Sequence, residues 1–280
     1  MDSGHVGSIA SVSKAVAGVL TMRMVHQGLL ELDDATRTWV PSMPATHGHT
    51  VGDLLANRGC VHHYNGNEDA YSDRAYATAL DASKRFWNDA LVAGCAYGDY
   101  NYSTHGYTLL GAALEAAGGD DVKDLVRTKL TNPFGLGTLG PQNFSPAVHR
   151  MSIYNSTGSK IDTYNNDWKV LGGGIDSSAA DLARFGAKLI GGQILDAADR
   201  TTMFTPPNGD SSYAYGWSTG TEAGTQVVAK DGAFSGNRAY LRMYPEKGIV
   251  VAVMMNSRDG GASATGLGRA IGSMVLDSVK

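Results

Sequence analysis

The hydrophobic pattern changes period at Pro206-Pro207, and that change limits the fold more than any other feature of the chain. Beyond it, short β-prone runs over 213–218, 225–229, 239–244 and 249–255 are separated by Gly, Asn and Pro, which predicts an antiparallel meander. Before it, apolar residues recur at helical spacing. Val12, Ala15, Val16, Val19, Leu20 and Met24 predict a helix from Ala10 to about Gly28, with Ser11 at its start and Gly28 as its stop. Thr50-Val51-Gly52-Asp53 has the spacing of a capping box and predicts a short helix through Leu54 and Leu55, ending near Asn57. Further helices are expected over 106–117, 121–130 and 178–190, the last opened by Ser178 and Asp181 as a second capping box. A final helix over about 262–279 gathers Leu267, Ile271, Met274, Val275 and Val279 on one face, which is expected to pack on the sheet. The class is α+β in one domain, with a mainly helical lobe over about 30–205 and a sheet lobe over about 1–29 and 206–280.

At 280 residues the chain is long enough to bury a full core. A net charge of -4, with no run of Lys and Arg, gives no basic field for a polyanion, so nucleic acid is not an expected partner. No apolar stretch is long enough to span a bilayer, and no charged segment followed by an apolar one opens the sequence. An exported form is therefore expected to have lost its signal. The 36 glycines fall in short clusters such as Gly172-Gly173-Gly174, which mark tight turns. Cys60 and Cys95 lack partners at metal-ligand spacing; they are either a disulfide or two unrelated thiols, and a disulfide would place the protein outside a reducing cytosol.

Three segments could carry chemistry. Ser11-Val12-Ser13-Lys14 is the one S-x-x-K in the chain, and on a helix it sets the Lys14 amine beside the Ser11 hydroxyl, where a lysine of lowered pKa can take the serine proton. Roughly one such motif is expected by chance in a chain this long, so alone it is weak. Tyr102-Ser103-Thr104 leads into the apolar helix that begins Gly106-Tyr107, and a tyrosine near ammonium groups can shuttle a proton, although a tyrosine among Tyr97, Tyr100 and Tyr107 is more often packing. Lys230-Asp231-Gly232-Ala233 closes a β run. There a lysine can aim its charge across a cleft, and the glycine permits close approach of a ligand backbone. His62 and His63 could line the cleft and His105 could tune Tyr102, but loop exposure and packing are the commoner roles. Trp168 and Trp217 could bound a pocket or serve the core.

Taken in order, these three segments resemble the class C β-lactamase, D,D-peptidase and LACTB-like serine hydrolase family, with Gly28-Leu29-Leu30-Glu31-Leu32-Asp33-Asp34, Thr50-Val51-Gly52-Asp53-Leu54-Leu55 and Asn132-Pro133-Phe134-Gly135-Leu136 at the expected places between them. The resemblance covers nearly the whole chain. It implies a β-lactamase/transpeptidase-like fold, with Ser11 as acylated nucleophile, Lys14 as its base, Tyr102 as proton relay and Lys230 as electrostatic element. The backbone amides of Ser11 and Ala233 would form the oxyanion hole, Thr104, Asp231 and Gly232 would meet substrate, and no metal or organic cofactor is implied. It further implies a secreted or periplasmic setting and a small-molecule or peptide substrate. Hydrolysis of esters or amides through an acyl-enzyme is the leading expectation, with a β-lactamase or D,D-carboxypeptidase, or a non-catalytic, assembly-forming member, as alternatives.

The sequence departs from the family in three places. Only ten residues precede Ser11, where relatives carry a helix and two sheet strands, so either the chain is truncated or a separate or processed N-terminal segment is expected to complete the sheet; otherwise the exposed strand edge is expected to invite association, as in a homo-oligomer. Thr104 stands where asparagine is common. Asp231 replaces a hydroxyl residue and puts a carboxylate where such enzymes bind their substrate's carboxylate, which disfavours carboxylate-bearing substrates.

Overall fold

The computed structural model describes residues 2–64, 66, 71–89, 91–209, 212–257 and 263–279. Among these, the helices are α1 (Ser13–His26), α2 (Thr36–Trp39), α3 (Val51–Leu55), α4 (Ala79–Ser83), α5 (Thr104–Gly118), α6 (Val122–Val126), α7 (Val170–Gly173), α8 (Ala179–Ile190), α9 (Ala197–Phe204) and α10 (Ala264–Ser278). The strands are β1 (Gly7–Ser8), β2 (Gly140–Pro141), β3 (Ile153–Tyr154), β4 (Lys160–Ile161), β5 (Ile175–Ser177), β6 (Ser218–Glu222), β7 (Thr225–Phe234), β8 (Asn237–Tyr244) and β9 (Ile249–Met255).

The meander forms an antiparallel sheet in the order β6-β7-β8-β9. Its two faces alternate with period two: Val228, Leu241 and Met243 join the core shared with the helices, while Val227, Ala229, Tyr240 and Tyr244 lie beneath α10. β7 runs five residues past its expected end, to Phe234. The run expected as a strand over 213–218 is instead a bend, and β6 begins at Ser218, where that run was expected to stop. Gly216 explains the difference. Its left-handed backbone (φ 88°) closes on α1 so tightly that a Cβ there would lie 2.3 Å from the Lys14 carbonyl oxygen.

Helix α1 is buried all round rather than on one face, because it runs through the centre of the molecule between α5, α7, α9 and the sheet. Thr50 caps α3 with the complete capping box. Ser178 caps α8 through the Asp181 amide, but the reciprocal half of that box is diverted: the Asp181 carboxylate accepts from the amide and hydroxyl of Thr138, tying α8 to the strand region before β2. The helix expected over 121–130 is α6 followed by a π-turn over Arg127–Thr131.

Helix α10 is present, although Ala262, its expected start, lies outside the described residues, and its orientation corrects the sequence reading. Ala264, Gly268, Gly272 and Leu276 face the sheet, and Leu267, Ile271, Met274, Val275 and Val279 face outward. Shape overrides hydrophobicity here. Tyr240 and Tyr244 fill the space beneath the helix, so that a Cβ at Gly268 would come within 2.3 Å of the Tyr240 ring. Only a stripe of small residues lets the helix approach that closely.

Beneath α2, a chain of buried polar groups fixes its own tautomers. His47 Nε2 lies 2.6 Å from the Trp87 carbonyl, which can only accept, so Nε2 carries the proton and Nδ1 accepts from His49 Nε2 at 3.1 Å. His49 Nδ1 must then accept from the Thr36 hydroxyl at 3.0 Å. No lone pair remains for another proton, and burial, followed by neighbouring His47, lowers the His49 pKa to about 3. In the unfolded chain His49 titrates near its ordinary 6.5. Its contribution to stability is thus complete above pH 6.5 and is lost as pH falls toward about 3. At pH 4 that loss is on the order of 3 kcal/mol. Denaturant melts at pH 7, 5 and 4 should show His49→Asn flattening the acid-side decline by close to one proton; an unchanged slope would refute the assignment.

Candidate active site

A strained turn carries Ser11. Ala10, immediately before it, lies in the left-handed region (φ 46°), held by Ile9 N–H on the Ile175 carbonyl and by its own N–H on Ser8 Oγ at 3.1 Å. The turn over Ala10–Val12 then leads straight into α1. Ser11 is half-buried and Lys14, one turn on, is fully buried. Ser13, between them, serves the scaffold, because its hydroxyl accepts from the Ile175 amide and fastens β5 to α1.

Tyr102 precedes α5, whose N-cap is Ser103. The Tyr102 hydroxyl donates to Ser11 Oγ at 2.8 Å. This tyrosine is therefore a neighbour of the serine across 91 residues of sequence, not packing. Ser103 holds the segment in place by accepting from the Gly106 amide and donating to the His62 carbonyl. The Cys60–Cys95 disulfide fixes the adjoining loop, with Cα atoms 5.7 Å apart. On the chain-entropy account, closing a loop of that separation contributes roughly 4 kcal/mol.

The Lys14 amine donates to Thr104 Oγ1 at 3.0 Å and to the Gly172 carbonyl at 2.6 Å. Burial first, and then the charge of Lys230, hold its pKa well below the ordinary lysine value, with Asp231 opposing. A neutral amine has two N–H groups and one lone pair. With both donors engaged, the lone pair is left to take a proton. Thr104, which lacks the amide of an asparagine, nonetheless orients the lysine through its hydroxyl.

Lys230 comes in from β7. Its ammonium lies 5.9 Å from the centre of the Tyr102 ring, over which Lys14 sits at 4.8 Å. It also donates to Asp231 Oδ1 at 2.8 Å. Burial works against the Asp231 charge, but Lys230 more than offsets it, so the carboxyl stays below its ordinary pKa. Beyond Ala229, β7 has no partner on its β6 side among the described residues. That edge lies on the serine turn instead: a Cβ at Gly232 would fall 2.1 Å from the Ile9 carbonyl oxygen and 3.0 Å from the Ser11 amide nitrogen. Ala233 follows on the same edge.

Three segments far apart in sequence thus converge on one hydroxyl. Such a centre can deprotonate a serine, relay the proton and hold a negative charge beside it. The decisive comparison agrees with this geometry: the family model described as Beta-lactamase matches residues 1–275. The chain belongs to the Beta-lactamase family.

Its relatives in that family include penicillin-binding protein 4 of Amycolatopsis lactamdurans, 24% identical over 88% of this chain and 71% of that one. Penicillin-binding protein 4* of Bacillus subtilis is 23% identical over 90% of this chain, which spans 60% of that relative's length. Human LACTB, a mitochondrial serine β-lactamase-like protein, is 25% identical over 71% of this chain and 45% of its own. Among solved structures, the octameric penicillin-binding protein homologue of Pyrococcus abyssi superposes with a TM-score of 0.81 at 22% identity, covering 98% of this chain and 67% of that one. D-amino acid amidase of Ochrobactrum anthropi gives 0.81 at 20% identity, covering 100% and 88%. The fold is that of the β-lactamase/transpeptidase class.

Sequence reasoning missed one contributor to this Beta-lactamase-family site and left the role of another open. The first is Gly172, whose carbonyl holds Lys14 and whose missing side chain admits Thr104; a Cβ there would lie 2.7 Å from Thr104 Cγ2. The triple glycine was the signal that could have found it, since adjacent glycines permit close packing as well as turns. The other is His63, whose Nδ1 accepts from the Thr104 amide at 3.1 Å and whose ring stands 5.4 Å from that of Tyr102. His105, by contrast, is core: it stacks on Phe86 at 3.9 Å and meets the Tyr71 hydroxyl at 2.8 Å. Trp168 and Trp217 are likewise core. His26, Asp196 and Asp199 bring ligand-type atoms within 4.8 Å of one another, but at the far end of α1, roughly 20 Å along the helix from the serine.

Proposed function

We propose that the protein is a serine hydrolase that cleaves ester or amide bonds through an acyl-enzyme on Ser11. The observation that carries this reading is the 2.8 Å contact between Tyr102 Oη and Ser11 Oγ, backed by a buried Lys14 whose amine is held well below its ordinary pKa. On attack, the Ser11 proton passes to Lys14; Tyr102 gives its own proton to the departing amine or alcohol and is reprotonated from Lys14, so that both groups return to their starting forms. Water then repeats the sequence on the acyl group, returning Ser11 to its hydroxyl form. The amides of Ser11 and Ala233 take the developing oxyanion, a role supported by the contact of Gly232 with the serine turn. Lys230 steadies charge across Tyr102. The likeness to an amidase and to penicillin-binding proteins supports amides as substrates.

Asp231 supports substrates without a carboxylate at that edge. The second reading, a β-lactamase or D,D-carboxypeptidase, is favoured by the names of the relatives. The Cys60–Cys95 disulfide supports a secreted or periplasmic setting. A homo-oligomer is supported by the octameric homologue.

Intact-mass spectrometry after treatment with a fluorophosphonate, and separately with a penicillin, tests the reading. A phosphonate adduct that is lost in Ser11→Ala, without penicillin turnover, is the expected result. Penicillin acylation or rapid turnover at Ser11 would select the second reading, and no Ser11-dependent adduct with either reagent would overturn both.

A further inference from the structure

Asp231 is the residue at the reacting edge that is both charged and open to solvent. Its side chain is 63% exposed, whereas that of its partner Lys230 is 5% exposed. One carboxylate oxygen accepts from the Lys230 ammonium at 2.8 Å, and that contact consumes the positive charge that would otherwise attract an anion. Lys14 is fully buried, whereas Asp231 faces solvent, so the carboxylate is the charge that an approaching substrate meets. The next residue, Gly232, rests on the Ser11 amide, so a substrate lying along this edge passes Asp231 within one residue of the serine turn. Tyr100 lies within electrostatic reach of Asp231. It is 46% exposed, tilted against Tyr213 at 5.5 Å, and its phenol is held above its ordinary pKa by burial and then by the neighbouring charges of Tyr102 and Asp231.

A solvent-facing carboxylate beside an exposed phenol ring is chemistry for a cation: the carboxylate accepts N–H donors, and the ring face attracts positive charge. Resting on the acyl-enzyme reading above, we propose that Asp231 is a specificity-determining residue that selects substrates carrying an ammonium group a few bonds away from the scissile ester or amide. Tyr100 forms the other wall of that subsite. The same carboxylate repels a substrate carboxylate, so preference should run from ammonium through neutral to carboxylate.

Two matched ester series test this, one varying the acyl side (6-aminohexanoyl, hexanoyl and adipoyl p-nitrophenyl esters) and one varying the leaving group (a common acyl group on alcohols ending in ammonium, methyl or carboxylate). In at least one series the wild-type kcat/KM for the ammonium ester should exceed that of its neutral counterpart by about tenfold and shrink toward it in 1 M salt. In Asp231→Asn and Asp231→Thr the ammonium-to-neutral ratio should fall toward one. Because each ratio is taken within one variant, a change in that variant's overall rate does not affect it. Flat ratios in both wild-type series, or a preference that persists in both variants, would overturn the proposal. Absence of a Ser11-dependent fluorophosphonate adduct would instead show that the hydrolase reading itself had failed.

Discussion

Replacing Lys14 with methionine should slow acylation of Ser11 by about 10²–10⁴-fold while leaving the protein folded. The two side chains are similar in length, and the site is fully buried, so methionine fills the space that the lysine stem occupies. The substitution also removes the cost of burying an amine. Against this, Thr104 Oγ1 and the Gly172 carbonyl lose their donor, which costs about 1–3 kcal/mol for an unsatisfied buried acceptor. These effects oppose each other, so the melting temperature should move little while the rate collapses. The pH profile separates a base from a mere scaffold. Wild-type fluorophosphonate labelling should rise as Lys14 loses its proton, at a pH below the ordinary lysine range because burial and Lys230 both disfavour its charged form. That limb should vanish in Lys14→Met. Labelling of the variant at near wild-type rates would remove Lys14 from the mechanism.

Gly232→Ala should disable the same serine by a different route. A Cβ at this position meets backbone at its three nearest contacts, with Ile9 O at 2.1 Å, Ser11 N at 3.0 Å and Val12 N at 3.1 Å, and none of these atoms can swing away as a side chain would. Either β7 withdraws from the serine turn or the turn shifts. A displacement of about 1 Å costs on the order of 10²-fold in rate, and overpacking of this kind costs about 1–3 kcal/mol of stability. Labelling kinetics and a denaturant melt read both effects. An alanine variant with wild-type labelling would show that the edge of β7 takes no part in reaching the transition state.

Much of the site was legible because its residues are local signals. Ser11 and Lys14 share a helical turn, Tyr102 sits directly before a capped helix, and Lys230 and Gly232 share a strand, so spacing alone put each on the right kind of element. The family resemblance supplied their association, and the 2.8 Å contact between Tyr102 and Ser11 is the structural form of it. Contributions that reach the site through backbone or through packing were not legible. The Gly172 carbonyl has no side chain to announce it, and His63 acts through an amide two residues beyond the tyrosine.

The sequence by itself determined the α+β class, the change to a meander after Pro206-Pro207, and the segments that carry the chemistry, because periodicity, caps and motifs act over a few residues. Tertiary structure alone decided which way α10 faces, where β6 begins, and that His47 and His49 form a proton-fixed chain. Each of those outcomes depends on what lies opposite in space: Tyr240 beneath Gly268, the Lys14 carbonyl against Gly216, and the Trp87 carbonyl at the end of the histidine pair. Close packing and hydrogen-bond direction are properties of the contact, and neither partner's sequence contains them alone.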